Sequence, residues 1–115
     1  MFPISETSPV QFRPPLPDLC DTVVIGGGVI GVMTAWHLAK AGQTVVLCEK
    51  GRIAGEQSSR NWGWVRQQGR DPAELPIAME ANRIWQDLAK ECGEDLGFRQ
   101  TGVLYLANKA GDMAG

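Results

Sequence analysis

The sequence predicts an α/β protein with a parallel sheet, and three features of residues 22–49 support this prediction. A short β-branched run, Thr22-Val23-Val24-Ile25, has the composition of a buried strand. It leads directly into the glycine-rich turn Gly26-Gly27-Gly28-Val29-Ile30-Gly31. A second apolar run, Thr44-Val45-Val46-Leu47-Cys48, ends at the acidic residue Glu49. The order strand, turn, helix, strand predicts two parallel strands joined by a crossover helix.

The glycine-rich turn has the spacing G-x-G-x-x-G, which in this context predicts dinucleotide binding. Gly26 permits the tight turn, Gly28 leaves room for a pyrophosphate, and Gly31 lets the helix pack close to the strand. The helix N-terminus then offers free N–H groups and a partial positive charge to an anion. We therefore expect an incomplete Rossmann-like βαβ unit. Its candidate cofactor-binding residues in the turn are Gly26, Gly28, Val29, Ile30 and Gly31.

The segment between the strands supports the same prediction. Small and apolar residues recur from Gly31 at helical spacing, and Ala41-Gly42 is a typical helix end. Glu49 follows Gly26 by roughly 20 residues, the spacing of an acid that binds a ribose. The alternative is a glycine-rich turn with an incidental surface glutamate. It is the weaker interpretation, because strand, turn, helix, strand and acid fall in register.

Residues 50–70 have the composition of a functional loop. The segment is about 20 residues long and contains Trp62 and Trp64, which disordered loops seldom use. We interpret it as a cofactor lid, in which serine and backbone N–H groups bind phosphate oxygens and arginine balances their charge. A solvated linker is the alternative. The polar candidates in the lid are Ser58, Ser59, Arg60 and Asn61.

Composition argues against several other classes of function. The 115 residues carry 11 basic and 13 acidic side chains, a net charge of −2, so no basic surface indicates nucleic acid. Three widely spaced cysteines and one histidine, His37, match no metal-binding pattern, and we expect reduced thiols in a cytoplasmic protein. No run approaches the roughly 20 apolar residues of a membrane span.

The remaining segments define three expected parts. Residues 1–20, with five of the seven prolines, predict a disordered arm. Residues 21–97 form the N-terminal part of the dinucleotide-binding domain and end in a helix from about Pro76 to Cys92, after a single turn. Residues 98–115 begin a truncated substrate domain, in which Val103 to Leu106 is a strand with two apolar faces.

From Thr22 to about Ala107 the chain resembles the FAD-dependent amino-acid and amine oxidoreductases of the D-amino-acid oxidase type. The glycine turn with Glu49-Lys50 is similar to the family's FAD fingerprint. The run Gly55 to Trp64 resembles the loop that crosses the pyrophosphate and reaches the flavin in such proteins. Within the family the chain looks most similar to bacterial amino-acid oxidases, deaminases and dehydrogenases.

The resemblance implies FAD as cofactor and a small amine or amino acid as substrate, oxidised at its C–N bond by hydride transfer to flavin. It also implies that Glu49, Lys50, Ser58, Ser59, Arg60 and Asn61 contact the cofactor. Family members are several times longer, so we expect the substrate groups outside this chain and assign no catalytic residue. Two alternatives stay open: an NAD(P)-binding dehydrogenase domain, and an inactive module that binds a partner subunit or itself.

Overall fold

The computed structural model describes residues 4–5, 7–10, 12–93, 95–109 and 111. The chain divides into two compact units, which we call the N-terminal unit, ending at Gly63, and the C-terminal unit, beginning at Trp64. The predicted βαβ motif lies wholly in the N-terminal unit.

The βαβ motif consists of β1 (Thr22–Ile25), α1 (Val29–Lys40) and β2 (Val45–Cys48). The strands pair in parallel from Thr22 opposite Val45 to Ile25 opposite Cys48, as predicted. β2 begins one residue later than the apolar run, and Thr44 instead bonds to both Asp21 and Thr22 at the start of β1. The Asp21 carboxylate accepts hydrogen bonds from the Thr44 amide and hydroxyl, both at 2.7 Å, and these bonds lower the pKa of Asp21.

One face of the small sheet carries α1, and β1 is exposed on the other face. Val24 points towards the helix, since a Cβ built on Gly31 would lie 3.5 Å from its Cγ1. Val23 and Ile25 alternate with it and therefore point to the opposite side, where the Ile25 side chain is 88% exposed. No large apolar side chain is fully buried in the described part of the chain. Parallel sheets are normally covered on both faces, and the described residues leave this face of β1 uncovered.

The C-terminal unit contains one long helix, α2 (Leu75–Glu91). The predicted single turn precedes it, and Asp71 accepts hydrogen bonds from the Ala73 amide at 2.8 Å and the Glu74 amide at 2.9 Å. Pro76 lies in the first turn of α2, where a missing N–H is not needed by the helix. The prediction of a regular helix from about this proline is therefore confirmed to within a residue.

The strand predicted at Val103 to Leu106 is not formed. Among the described residues after α2 none belongs to a strand, and the Leu104 side chain is 85% exposed. A strand exists only when another strand completes its hydrogen bonds, and β1 and β2 are the only strands described. The apolar pattern indicates a segment suited to a sheet but does not supply the partner.

Candidate functional site

The glycine turn places the start of α1 against the end of β1. Gly26 has a φ of +107°, a conformation that favours glycine, and its amide donates to the Cys48 carbonyl at 2.8 Å. A Cβ on Gly31 would overlap the backbone oxygen of Gly26. Two of the three glycines predicted to shape this turn are thus required by backbone geometry alone.

The N-terminus of α1 is open to an anion. Its N-cap residue is Gly28, no side chain of the helix caps it, and its first turn has no acidic residue. The first N–H groups of a helix lack partners within the helix and carry a partial positive charge. One of them is satisfied from outside, because the Val29 amide donates to Ser58 Oγ at 2.8 Å.

Ser58 reaches this position from a 3₁₀ turn, Gln57–Ser59. The Asn61 side chain steadies the turn, since its Nδ2 donates to the Ser58 carbonyl at 2.7 Å and its Oδ1 accepts from the Gly63 amide at 2.7 Å. A Cβ on Gly28 would lie 3.1 Å from Ser58 Oγ. The serine hydroxyl and the helix N-terminus therefore enclose a space next to Gly28 that a larger side chain would fill.

A cleft of about 520 Å³ lies in front of this turn. Seven of the sequence-predicted residues line it: Gly26, Gly28, Val29, Ile30, Gly31, Ser58 and Asn61. It also includes Thr34 and Gln57, which the sequence analysis missed. Thr34 lies three residues after Gly31, so helical periodicity could have identified it, whereas no sequence signal marks Gln57.

Glu49 fastens the end of β2 to the glycine turn. Its Oε2 accepts from the Gly27 amide at 2.7 Å and its Oε1 from the Gly51 amide at 2.8 Å. These two backbone bonds lower the pKa of Glu49 below its ordinary 4.5, so the side chain is a carboxylate at neutral pH. Each oxygen keeps a lone pair free and can still accept a bond from a hydroxyl group.

The other three predicted residues lie outside the cleft. Lys50 Nζ pairs with Glu56 Oε1 at 2.7 Å on the surface. Ser59 Oγ donates to the Glu56 carbonyl at 3.0 Å, and Arg60 is exposed, with its amide bonded to the Gln57 carbonyl at 3.1 Å. Neither Ser59 nor Arg60 contributes to the wall of the cleft in this arrangement.

These groups suit a dinucleotide. The N–H groups at the α1 N-terminus other than that of Val29 can donate to phosphate oxygens. The Ser58 hydroxyl, which accepts from the Val29 amide, can add a donor beside Gly28. The Glu49 carboxylate, held at the neighbouring strand end, suits the hydroxyl groups of a ribose. The residues present therefore fit FAD at its pyrophosphate and at its adenosine ribose.

Replacing Glu49 with glutamine is expected to weaken binding of the adenosine half by roughly tenfold, because a charged acceptor is lost. Titration calorimetry with AMP would measure the change. Glu80→Gln is the matched control, since that carboxylate pairs with Arg83 on α2 and lies in the C-terminal unit. Equal AMP affinities in the parent and Glu49→Gln would contradict the ribose contact.

The Glu49 bonds also predict an acid-sensitive stability. Folding lowers the pKa of Glu49, so the ionised carboxylate stabilises the folded state. This contribution is complete above the ordinary pKa of 4.5 and is lost as the pH falls through the lowered pKa of the folded state. The unfolding temperature, measured between about pH 3 and pH 7, should fall less on the acid side in Glu49→Gln than in the parent. Identical pH profiles would show that the two backbone bonds contribute nothing to stability.

A second polar cluster, unmarked by any sequence motif, lies in the C-terminal unit. Arg66 Nη1 donates to the Gln68 carbonyl at 2.6 Å and to the Tyr105 hydroxyl at 3.1 Å. Its guanidinium carbon lies 5.1 Å from the centre of the Trp64 ring. Tyr105 and the tryptophan thus hold an arginine that has no carboxylate partner among the described residues. A planar guanidinium oriented in this way can bind a carboxylate.

The described residues contain no group of three or more His, Cys, Asp or Glu side chains placed to bind a metal. Within the same residues, no helix combines the length and apolar character needed to cross a bilayer. The cysteines Cys20, Cys48 and Cys92 are all free thiols.

The chain is similar to known proteins in both sequence and structure. The chain is 38% identical over 95 residues to sarcosine oxidase subunit beta of Arthrobacter sp, and the aligned region covers 81% of this chain and 24% of that protein. It is 33% identical over 93 residues to the mitochondrial pyruvate dehydrogenase phosphatase regulatory subunit of Mus musculus. That alignment covers 80% of this chain and 11% of the other protein. The structure of L-amino acid deaminase from Proteus vulgaris superposes with a TM-score of 0.83 at 32% identity and covers 90% of this chain and 24% of that one.

The chain therefore spans about a quarter or less of the length of these relatives. The structural match is consistent with an incomplete Rossmann-like domain. The model of one family, the FAD dependent oxidoreductases (DAO), matches residues 21–115, which includes every candidate site residue. On this match, the chain belongs to the DAO family of FAD dependent oxidoreductases, and FAD is the cofactor of that family.

Proposed function

We propose that this chain provides the FAD-binding βαβ unit of an oxidoreductase that acts on an amino acid or a related small amine. One observation carries the proposal: the α1 N-terminus, the Ser58 hydroxyl and the Glu49 carboxylate all converge on one glycine turn. An anion-binding helix end and a hydroxyl-binding carboxylate on the same turn suit the pyrophosphate and the ribose of an adenine dinucleotide.

The proposed roles follow from this geometry. The backbone around Gly28, including Val29, Ile30 and Gly31, binds the pyrophosphate, and Gly26 shapes the turn. Ser58 and Asn61 close the loop over it, while Ser59 and Arg60 are proposed to reach it when the loop closes further. Glu49 and the adjacent Lys50 lie at the ribose end. When bound, FAD supplies a ring that accepts a hydride from the carbon bearing the amine.

The substrate class is also a proposal. Sarcosine and L-amino acids, named in two of the relatives, each carry an amine and a carboxylate. Arg66, oriented by Tyr105 and Trp64, has the chemistry to bind such a carboxylate in the C-terminal unit. We therefore infer an amino acid or N-substituted amino acid as substrate and place no catalytic residue in this chain.

Titration of the purified chain with FAD, followed by flavin fluorescence and visible absorption, tests the cofactor assignment. Gly28→Val is expected to abolish binding without unfolding β1, because φ at Gly28 is −76° and only the space near Ser58 is lost. Circular dichroism of the variant separates lost binding from lost structure. Undiminished flavin binding in Gly28→Val, or preferential binding of NAD, would contradict the proposal.

Ser58→Ala and Ser59→Ala form a matched pair that tests the loop. The Ser58 hydroxyl bonds to the α1 N-terminus, whereas the Ser59 hydroxyl bonds to the Glu56 carbonyl. Ser58→Ala should therefore lower the affinity for FAD by about threefold to tenfold, and Ser59→Ala should lower it by less. AMP affinity should change little in either variant, since AMP lacks the pyrophosphate. Equal FAD losses in the two variants would show that the loop acts only through folding.

A second candidate is a module that binds a partner and performs no catalysis. It is favoured by one observation, that one relative is named a regulatory subunit and another a subunit beta. Val23 and Ile25 on the open face of β1 would provide an apolar contact surface for a partner or a second copy. Size-exclusion chromatography over a dilution series tests self-association. A cytoplasmic location, inferred from the three free thiols, belongs to the same set of proposals.

A further inference from the structure

We propose that Asp21 is a positioning residue, which fixes the register of β1 against β2 and thereby places Glu49 at the glycine turn. This inference rests on the proposed function, because it concerns how Glu49 comes to face the cofactor. Asp21 and Thr44, which we call the register clamp, join the N-terminal ends of the two strands. Glu49 bonds to the Gly27 amide at their C-terminal ends.

The two residues of the register clamp bond to each other in both directions. The Asp21 amide donates to the Thr44 carbonyl at 2.9 Å and to its Oγ1 at 3.0 Å. In return, the Thr44 hydroxyl and amide both donate to Asp21 Oδ2 at 2.7 Å. The bond from the hydroxyl, and then that from the amide, lower the pKa of Asp21, so the side chain is a carboxylate at neutral pH. Charge-assisted bonds therefore join residues that are 23 apart in the sequence.

The apolar side chains of the strands do not specify this register by themselves. A slip of one residue moves every side chain of a strand to its other face, which is costly only where the two faces differ. β1 alternates between half-buried and exposed residues, but all four residues of β2 are half-buried. β2 also begins with two adjacent valines, so a shifted strand would present a similar surface. Polar bonds at the two ends of the pair are then what distinguishes this register from its neighbours.

The register decides whether Glu49 reaches the glycine turn. With Ile25 opposite Cys48, the Gly27 amide donates to Glu49 Oε2 at 2.7 Å. A slip of one residue would shift β2 by roughly 3.3 Å and turn alternate side chains to the other face of the sheet. A hydrogen bond does not survive a shift of that size. The register clamp therefore acts on the ribose end of the proposed site from the far end of β2.

Amide hydrogen exchange in the cofactor-free chain tests the register clamp directly. Asp21→Ala removes the shared acceptor and should speed exchange of the Gly27 amide by about threefold to tenfold, while the Leu38 amide in α1 changes less. Asp21→Asn keeps an oxygen that can accept both bonds and should restore the rate of the parent. Asp18→Ala is the control, because Asp18 is exposed and precedes β1. An unchanged Gly27 rate, or equal acceleration at Gly27 and Leu38, would overturn the inference.

Thr44→Val provides a second variant in case Asp21→Ala does not fold. It keeps the branched shape of the side chain and removes the hydroxyl, which takes part in two of the bonds. The Gly27 amide should again exchange faster, and Thr44→Ser, which retains a hydroxyl, should restore the rate of the parent. Equal rates in Thr44→Val and Thr44→Ser would contradict a role for these side-chain bonds.

A double-mutant cycle connects the register clamp to the cofactor site. Asp21→Ala should lower the affinity for AMP by about threefold in the parent and leave it unchanged in the Glu49→Gln background. Distant residues without a shared partner normally act additively, so the same loss in both backgrounds would overturn positioning through Glu49. If the parent binds no AMP, the proposed function is overturned, and the exchange rates still decide whether Asp21 holds Glu49 in place.

Discussion

Replacing Gly31 with alanine is expected to abolish FAD binding and to destabilise the N-terminal unit. The added Cβ would overlap the backbone oxygen of Gly26, and a carbonyl in a hydrogen-bonded turn cannot rotate away as a flexible side chain can. The Gly26 amide is bonded to Cys48, so α1 must move away from β1 or this bond must break. Overpacking of this kind costs about 1–3 kcal/mol, and backbone clashes lie at the upper end.

Thermal unfolding and an FAD titration of Gly31→Ala measure the two effects together. Gly51→Ala is the matched glycine control, since its Cβ would meet only Glu49 Oε1 at an ordinary 3.7 Å. Gly31→Ala should lower both the unfolding temperature and the FAD affinity, while Gly51→Ala should retain the unfolding temperature of the parent. A stable Gly31→Ala that binds FAD normally would contradict the close approach of α1 to the Gly26 carbonyl.

The part of this fold that could be predicted from sequence is the part fixed by local patterns. β-branched runs, a glycine turn and helical periodicity each act over a few residues, so β1 and β2 fall within a residue of their expected bounds and α1 ends directly before the predicted stop at Ala41-Gly42. Val103 to Leu106 has an equally strong pattern, but a strand also needs a partner from elsewhere in a polypeptide. Sequence pattern therefore identified what this segment could do and not whether it does so here.

Contacts between side chains that are far apart in the sequence could not be predicted, because they depend on how the folded chain brings its loops together. The loop residues were identified by type, yet only the folded chain shows that Ser58, and not Ser59, meets the α1 N-terminus. The Arg66–Tyr105 bond joins residues 39 apart and depends on how a loop without regular structure closes. The prolines predict the absence of regular hydrogen bonds in the arm, but not that it lines a cavity with β2.

The 115-residue chain by itself is expected to show no amine-dependent reduction of flavin. One face of β1 is uncovered, with Ile25 88% exposed, and no described residue adds a third strand to the sheet. A cofactor bound to so open a unit lacks a wall that excludes water and a group that orients the amine, and both are needed for hydride transfer. We therefore expect weak FAD binding together with loss of colour on gel filtration.

Anaerobic mixing of the chain with excess FAD and with D- and L-amino acids or sarcosine, followed by absorption, is the direct measurement. Free FAD with the same substrates is the baseline, and the flavin band should bleach no faster with the chain than without it. We attribute the expected inactivity to uncovered apolar surface, because the described residues leave one face of β1, Leu104 and Leu106 exposed. Bleaching above the baseline by a species that gel filtration shows to be a monomer would mean that the βαβ unit and α2 suffice to orient the amine at the flavin.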